Sequence, residues 1–180
     1  MVWPLAILAV LASGCDLVLS LDRSGETPPD TVPRITCPDT YDAIDSGFYR
    51  VVADSTRPWL DAEHDCESDS LSTAITGFTH LVVLSNDTER QKVGALAQLQ
   101  ADAYVGLSDR KADSIFLWVS KEGSTYGQVL LFPPWATGQP DGNGDCVVMR
   151  NDNSFDDVDC SVGRQYICEC DQFDVETIAF

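Results

Sequence analysis

The sequence predicts an α+β domain, and three features carry this prediction. Two stretches with helical character lie between residues 58 and 100, and short β-rich segments with long loops follow them. Strands and helices do not alternate as a wound parallel sheet requires. Of the 180 residues 44% are hydrophobic, enough for one buried core, and seven cysteines indicate an oxidising compartment.

The N-terminus has the pattern of a secretion signal. Residues 1–12 are almost wholly apolar, but this run is too short to span a bilayer securely. The segment Leu11-Ala12-Ser13-Gly14-Cys15 resembles a bacterial lipobox, which implies a signal peptide over residues 1–14 and a lipid on Cys15. We therefore expect secretion across an inner membrane and lipid anchoring in a bacterial cell envelope. No Lys or Arg precedes the apolar run, so an ordinary signal peptide, cut elsewhere to give an extracellular protein, is the alternative.

Residues 15–35 predict a tether. Three prolines stand there among Gly, Ser and Thr residues, and proline cannot continue a helix or a central strand. The folded domain is therefore expected to cover residues 36–172, with residues 173–180 as a C-terminal tail.

The first part of the domain predicts a strand and then a helix. Phe48–Val52 is short and β-rich. Residues 58–68 predict a helix with a proline in its first turn. In that helix Trp59, Ala62 and Cys66 are spaced three and four apart, which predicts one buried face.

A second strand and a second helix are predicted next. The strand covers residues 80–84. Asn86 and Glu89 form a capping-box pattern, in which Asx is followed three residues later by Glu. The helix is therefore expected to begin at Asn86 and to end near residue 100. Its apolar face consists of Val93, Leu96, Ala97 and Gln100.

The remainder predicts strands joined by long loops. The strand-like segments are residues 103–107, 115–119, 146–149 and 165–170. Residues 121–145 are rich in Gly and Pro and poor in regular signals. Long loops of this kind in a compact domain are usually functional, so we expect a binding site there.

Residues 37–170 contain a series of short motifs in a fixed order. They are Cys37-Pro38-Asp39, Trp59–Cys66, His80-Leu81-Val82, Glu89, Tyr104-Val105-Gly106-Leu107, Trp118-Val119, Trp135, Gly138-Gln139-Pro140-Asp141, Asp145-Cys146-Val147, Phe155–Cys160 and Tyr166–Glu169. With these motifs, residues 37–170 resemble a C-type lectin-like domain, because most of the landmarks of that family occur in this order. The resemblance implies two helices packed on small antiparallel sheets, with a long ligand-binding loop.

The resemblance also implies a disulfide pattern. Six cysteines alone allow 15 pairings, so their spacing does not decide it. The family pattern implies Cys66–Cys168 and Cys146–Cys160. The chain ends of this family lie side by side, which implies Cys37–Cys170 as the third bond.

A calcium site is the main functional implication of the resemblance. Calcium prefers six to eight hard oxygen ligands. In this family a Glx-Pro-Asx tripeptide and an Asx-Asp pair on a strand supply them, and two adjacent sugar hydroxyls complete the shell. Gln139 and Asp141 match the tripeptide, around a proline that is cis in the family, and Asp156 and Asp157 match the strand pair. The Gln-Pro-Asp form is similar to that of galactose-type members.

Two positions depart from the family pattern. Gly144 stands where a further Glu ligand is usual, and Asp145 or Asn143 can substitute for it. Phe155 replaces the usual Trp, which changes packing rather than ligation. The expected metal ligands are thus Gln139, Asp141, Asp145, Asp156 and Asp157. The expected sugar-binding residues are Gln139, Asp141, Asn143, Asp156 and Asp157. The alternative is a calcium-independent, protein-binding or adhesive domain on the same fold.

Other functional classes are disfavoured. The formal net charge of −18 repels phosphate backbones, so nucleic acid is not an expected partner. Neither His64 nor His80 lies in a nucleophile pattern, and His64 is expected at the surface. Asp156 and Asp157 are adjacent on a strand and point to opposite faces, so they cannot flank one glycosidic bond. We expect no enzyme activity, and we expect glycans or a surface glycoprotein as partners, with membrane association through the lipid.

Overall fold

The computed structural model describes residues 35–45, 47–71, 75–121 and 134–176. The predicted signal peptide, Cys15 and almost all of the tether lie outside these ranges, as does much of the predicted long loop. The described residues form eight strands and two α-helices. The strands are β1 (Asp42–Ile44), β2 (Gly47–Arg57), β3 (Phe78–Leu81), β4 (Ala103–Ser108), β5 (Leu117–Trp118), β6 (Cys146–Met149), β7 (Phe155–Val158) and β8 (Arg164–Asp171), and the helices are α1 (Trp59–Ser68) and α2 (Asp87–Ala97).

Helix α1 confirms the predicted helix and its buried face. It begins after Pro58, which lies at the N-cap. Trp59, Ala62 and Cys66 are fully buried, and the indole N–H of Trp59 donates to the Val105 carbonyl at 2.9 Å. The helix packs against β3 and β8.

Helix α2 begins as predicted and ends earlier. The Asn86 side chain accepts a hydrogen bond from the Glu89 N–H at 3.0 Å, which caps the helix. The predicted end near residue 100 is wrong, because Gln98 adopts a left-handed conformation with φ of 43° and stops the helix after Ala97. Gln100 consequently lies at the surface.

The strands form one connected sheet in the order β1-β2-β8-β4-β6-β7, with β3 also paired to β8 and β5 to β4. All pairings are antiparallel except β4 with β8. The resemblance implied small antiparallel sheets, and the parallel β4–β8 pairing joins the antiparallel strands into one sheet. The core lies between this sheet and the helices.

Two buried acidic side chains satisfy backbone groups at the end of β3. Glu63 accepts from the Leu81 N–H at 2.8 Å, and Glu169 accepts from the Val83 N–H at 3.0 Å. Burial raises the pKa of Glu63 to about 7, although the charge of His80 opposes the rise. Sequence patterns did not predict the burial of these two charged residues.

The two histidines differ in environment. His64 lies at the surface, as predicted. His80 is fully buried, and its two ring nitrogens face the Leu81 carbonyl at 2.8 Å and Asp171 at 3.3 Å. Burial alone lowers the pKa of His80, but Asp171 and Glu63 outweigh it and raise the pKa to about 9. His80 therefore acts as a buried cation in the fold.

The described part of the chain contains three disulfides, of which one joins α1 to β8. They join Cys37 to Cys170, Cys66 to Cys168 and Cys146 to Cys160, with Cα–Cα distances of 5.9, 5.5 and 5.1 Å. These are the pairs that the resemblance implied. The third bond ties the start of β6 to the turn after β7, the region of the expected site.

The described part of the predicted tail is paired with the segment after β5. Val175 forms a bridge with Ser120, and the Glu176 N–H donates to the Val119 carbonyl at 2.7 Å. Neither helix of the described residues has the length and apolar character that crossing a bilayer requires.

Candidate functional site

The Gln-Pro-Asp tripeptide lies beside edge strand β7. The Phe155 N–H donates to the Pro134 carbonyl and the Ala136 N–H donates to the Phe155 carbonyl, both at 2.8 Å. The Gln139 N–H then donates to the Ala136 carbonyl at 2.9 Å, which turns the chain into the tripeptide. The Gln139–Pro140 peptide bond is cis, as the resemblance implied.

Asp157 holds the backbone that follows the tripeptide. Its two carboxylate oxygens accept hydrogen bonds from the Asp141 N–H at 2.8 Å and the Gly142 N–H at 2.7 Å. The Asp157 residue is only 2% exposed. This contact is a loop clamp that the sequence did not reveal, because the sequence assigned Asp157 to metal and sugar binding and not to a backbone contact.

Asp141 is engaged by Asn143 in the same loop. One Asp141 carboxylate oxygen accepts from the Asn143 N–H at 3.0 Å, and the other accepts from the Asn143 side-chain amide. Gly142 lies between them with φ of 75°, a conformation that favours glycine. The three residues form a compact turn at the surface.

Gln139 carries an oxygen with unmet bonding capacity. Its Oε1 atom is buried and has no hydrogen-bond partner among the described residues. An amide oxygen in that condition is costly unless a donor or a cation completes its bonding. Calcium accepts side-chain amide oxygens as ligands, so this atom fits a calcium site.

Asp156 lies on the other side of β7 from Asp157. Asp157 is buried, whereas the Asp156 side chain is 19% exposed and lies 3.5 Å from a guanidinium nitrogen of Arg150. Burial raises the pKa of Asp156, Arg150 opposes the rise, and Asp157, Asp102 and Asp141 add to it.

The carboxylate of Asp109, next to Asp145, was not predicted from the sequence. The Asp109 N–H donates to the Asp145 carbonyl at 3.0 Å. One Asp109 oxygen accepts from the Ser114 N–H at 2.7 Å, and the other is buried without a partner among the described residues. Burial raises the pKa of Asp109, the Ser114 N–H opposes this, and Asp145 and Asp157 raise it further. The sequence feature that could have identified Asp109 is its position directly after the buried strand β4.

Gly144 is required by close packing. A Cβ atom at this position would overlap the Val158 carbonyl group and the Asp159 nitrogen. A glutamate here would need a different loop path, so the missing family ligand reflects the course of this loop.

In this conformation, no three His, Cys, Asp or Glu side chains of the described ranges are grouped to hold a metal ion. The structure thus brings Gln139, Asp141, Asn143 and Asp157 together around the loop, with Asp156 and Asp145 at its margins. Trp135 packs against Phe116, with ring centroids 5.0 Å apart, and belongs to the core side of the loop.

A family model described as "Lectin C-type domain" matches residues 55–170. The chain belongs to the C-type lectin domain family. This family is generally non-enzymatic.

The comparisons with individual proteins agree. The chain is 25% identical over 175 residues to the alpha-N-acetylgalactosamine-specific lectin of Patiria pectinifera, covering 91% of this chain and 94% of that lectin. It is 30% identical over 87 residues to the mannose-binding protein of Gallus gallus, covering 47% of this chain but only 32% of that protein. Among solved structures, C-type lectin CEL-I from Cucumaria echinata is similar with a TM-score of 0.63 and 22% identity, covering 76% of this chain and 99% of CEL-I. The structural likeness supports the same α+β fold.

Proposed function

We propose that this domain binds calcium and, through it, a carbohydrate, at the loop of residues 139–145 beside β7. The observation that carries the proposal is the buried Oε1 atom of Gln139, which has no hydrogen-bond partner among the residues that the structure describes. Gln139, Asp141 and Asp157 would hold the ion, and Asp156 and Asp145, at the margins of the loop, would be further donors. Bound calcium supplies open coordination positions for two adjacent sugar hydroxyls.

The loop clamp does not exclude metal binding by Asp157. Each carboxylate oxygen has about two lone-pair positions, and the Asp141 and Gly142 N–H groups each occupy one. One position per oxygen is left for a cation. The same holds for Asp141, whose two oxygens each accept one hydrogen bond from Asn143.

We propose a galactose-type sugar as the ligand class. The Gln139-Pro140-Asp141 sequence resembles the form found in galactose-type members. The similar protein from Patiria pectinifera is named an alpha-N-acetylgalactosamine-specific lectin, which supports the same class of sugar.

Retention on galactose-substituted and mannose-substituted beads tests the proposal. The full chain should bind galactose beads in millimolar calcium and elute with a chelator. Gln139→Ala should lose this retention, because the Gln139 Oε1 atom would no longer ligate the ion. Gln100→Ala is the matched control, since Gln100 is exposed and its side-chain amide donates to the nearby Gln98 carbonyl. Retention by Gln139→Ala equal to that of the control would contradict the proposed site.

A calcium-independent protein-binding role is the second candidate, and Gly144 favours it. The close packing at Gly144 leaves no room for the additional glutamate ligand. In that case the loop would be a recognition surface held by the Asp157 clamp alone. Binding to a protein partner that survives both a chelator and Gln139→Ala would support this candidate over the first.

We further propose that Cys15 carries a lipid that anchors the chain in a bacterial cell envelope. The lipobox-like segment of residues 11–15 supports this proposal. A single sugar site of this kind is weak, so clustering on a membrane would raise the overall avidity. Incorporation of a labelled fatty acid that disappears in Cys15→Ser is the expected result, and unchanged incorporation would refute it.

A further inference from the structure

Arg150 is fixed at the end of β6, across from the strand that carries Asp156. Its N–H donates to the Ser154 carbonyl at 2.8 Å, and its carbonyl accepts from the Asn153 N–H at 2.9 Å. This turn links β6 to β7 and keeps the Arg150 backbone in place. The β6–β7 hairpin therefore places the guanidinium beside Asp156, an expected calcium ligand.

The guanidinium of Arg150 is held loosely. Its nearest carboxylate is Asp156, at 3.5 Å from Nη1, and it makes no side-chain hydrogen bond within the described part of the chain. Arg50, by comparison, contacts Asp69 at 2.7 Å and Asp65 at 3.0 Å. The Arg150 side chain is 41% exposed, so its planar set of N–H donors is accessible from solvent.

Arg150 is a cation in acidic surroundings. The charges acting on Asp156 are those of Arg150 and of three carboxylates, Asp157, Asp102 and Asp141. Arg150 therefore acts as the counterion of Asp156. If a divalent cation takes over that role, it repels the guanidinium and frees its donors for another anion.

We propose that Arg150 makes the site selective for saccharides that carry an anionic substituent, a sulfate ester or a carboxylate, next to the hydroxyls that reach calcium. This inference rests on the proposed calcium-dependent binding. The guanidinium fork matches the planar oxygens of a carboxylate and the oxygens of a sulfate, and it stays charged at any physiological pH.

The net charge of −18 does not contradict this selectivity. At physiological ionic strength, charges more than about 8 Å apart are largely screened. The distant acidic residues lower the association rate of an anion more than they weaken its contact with an adjacent arginine.

The test compares three immobilised probes in millimolar calcium: galactose, 6-O-sulfated galactose and galacturonic acid, all of which keep the adjacent hydroxyls free for calcium. The wild-type chain should bind at least one anionic probe about fivefold more tightly than galactose, the effect of one partly exposed charge pair. Arg150→Gln should reduce this ratio to about one, and Arg150→Lys should retain part of it. A preference for the sulfated probe indicates sulfated glycans, and a preference for galacturonic acid indicates uronic acids.

Lys92→Gln is the matched control. Lys92 is 43% exposed and pairs with Asp45 on the β1–β2 hairpin. The substitution therefore removes one positive charge from a similar ion pair elsewhere in the domain. For Lys92→Gln, the ratio of the affinity for the anionic probe to the affinity for galactose should equal that of the wild type. Equal wild-type binding of all three probes, or a ratio that Arg150→Gln leaves unchanged, would overturn the inference while calcium-dependent galactose binding stands. Absence of binding to every probe would overturn the proposed function and this inference together.

An independent readout is the affinity for calcium without sugar. Arg150→Gln removes a cation beside Asp156, so calcium should bind a few times more tightly than to the wild type. Weaker or equal calcium binding in Arg150→Gln would show that the guanidinium does not compete with the ion, and would count against the inference.

Discussion

Replacing Asp157 by asparagine or alanine tests how the loop is held before any metal binds. The wild-type carboxylate accepts from two backbone N–H groups at 2.8 and 2.7 Å, and hydrogen bonds to a charged group contribute about 1.5–3 kcal/mol each. Both donors belong to exposed residues, Asp141 and Gly142, and regain water when the clamp is lost. We therefore expect a loss of about 2 kcal/mol for Asp157→Ala, less than the sum of two such bonds.

Thermal and denaturant unfolding in a chelator measure this loss. For a domain of this size, about 2 kcal/mol corresponds to a midpoint lower by about 8 °C. Asp157→Asn should lose slightly less, because its amide oxygen can accept one of the two bonds while its NH2 group faces the other donor. Asp54→Asn is the control, since Asp54 is exposed on β2.

Calcium then separates the clamp from the metal site. At 100 times the dissociation constant, calcium stabilises the wild type by about 2.7 kcal/mol and should do little for Asp157→Ala. The difference in free energy of unfolding between the wild type and Asp157→Ala should therefore be larger in calcium than in chelator. An Asp157→Ala protein as stable as Asp54→Asn in chelator would refute the clamp, and an equal calcium gain in both would refute ligation by Asp157.

Three further changes have defined outcomes. Gly144→Ala should destabilise the domain by about 2 kcal/mol or more, because its Cβ overlaps backbone atoms; unfolding unchanged from the wild type would count against the loop path. Cys37→Ser with Cys170→Ser should cost about 3–4 kcal/mol in denaturant unfolding, because the neighbouring Cys66–Cys168 bond shortens the loop that Cys37–Cys170 closes to about 31 residues. A loss of about 5 kcal/mol would contradict this shortening, since it corresponds to the full loop between Cys37 and Cys170. His80 has a folded pKa of about 9 against 6.5 unfolded, so its stabilisation is present below pH 6.5 and lost as the pH rises through 9. His80→Gln should flatten the pH dependence of stability over that window, and an unchanged slope would contradict the buried cation.

The sequence predicted the elements whose signals are local. The spacing of Trp59, Ala62 and Cys66 identified α1, and the Asn86 cap identified the start of α2. The end of α2 depended on Gln98 adopting a left-handed conformation, which favours glycine or asparagine, so no residue type signalled it.

The buried carboxylates show where local patterns failed. Glu63 stands at helical spacing with Trp59, Ala62 and Cys66, so the position belongs to the buried face although the residue is charged. Its acceptor role depends on the Leu81 N–H, which is distant in sequence. Contacts of this kind require the tertiary fold.

The candidate site was predictable in part. Order and motif placed Gln139, Asp141 and Asp157 in one region, and the structure brings them together around one turn. The clamp by Asp157 and the buried Asp109 oxygen, which lacks a partner in the described ranges, arise from backbone geometry between strands β4 and β7 and the loop. No spacing in the sequence encodes that geometry.

The central claim is that the loop of residues 139–145 binds calcium. Its most direct test is the thermal-unfolding midpoint of the full chain in calcium, in magnesium and in chelator, because a ligand specific for the folded state raises the midpoint by mass action. We predict a rise of several degrees in millimolar calcium, little change in magnesium, and loss of the rise in Gln139→Ala. An identical midpoint in calcium and in chelator would contradict the claim and leave the domain as a calcium-independent recognition module.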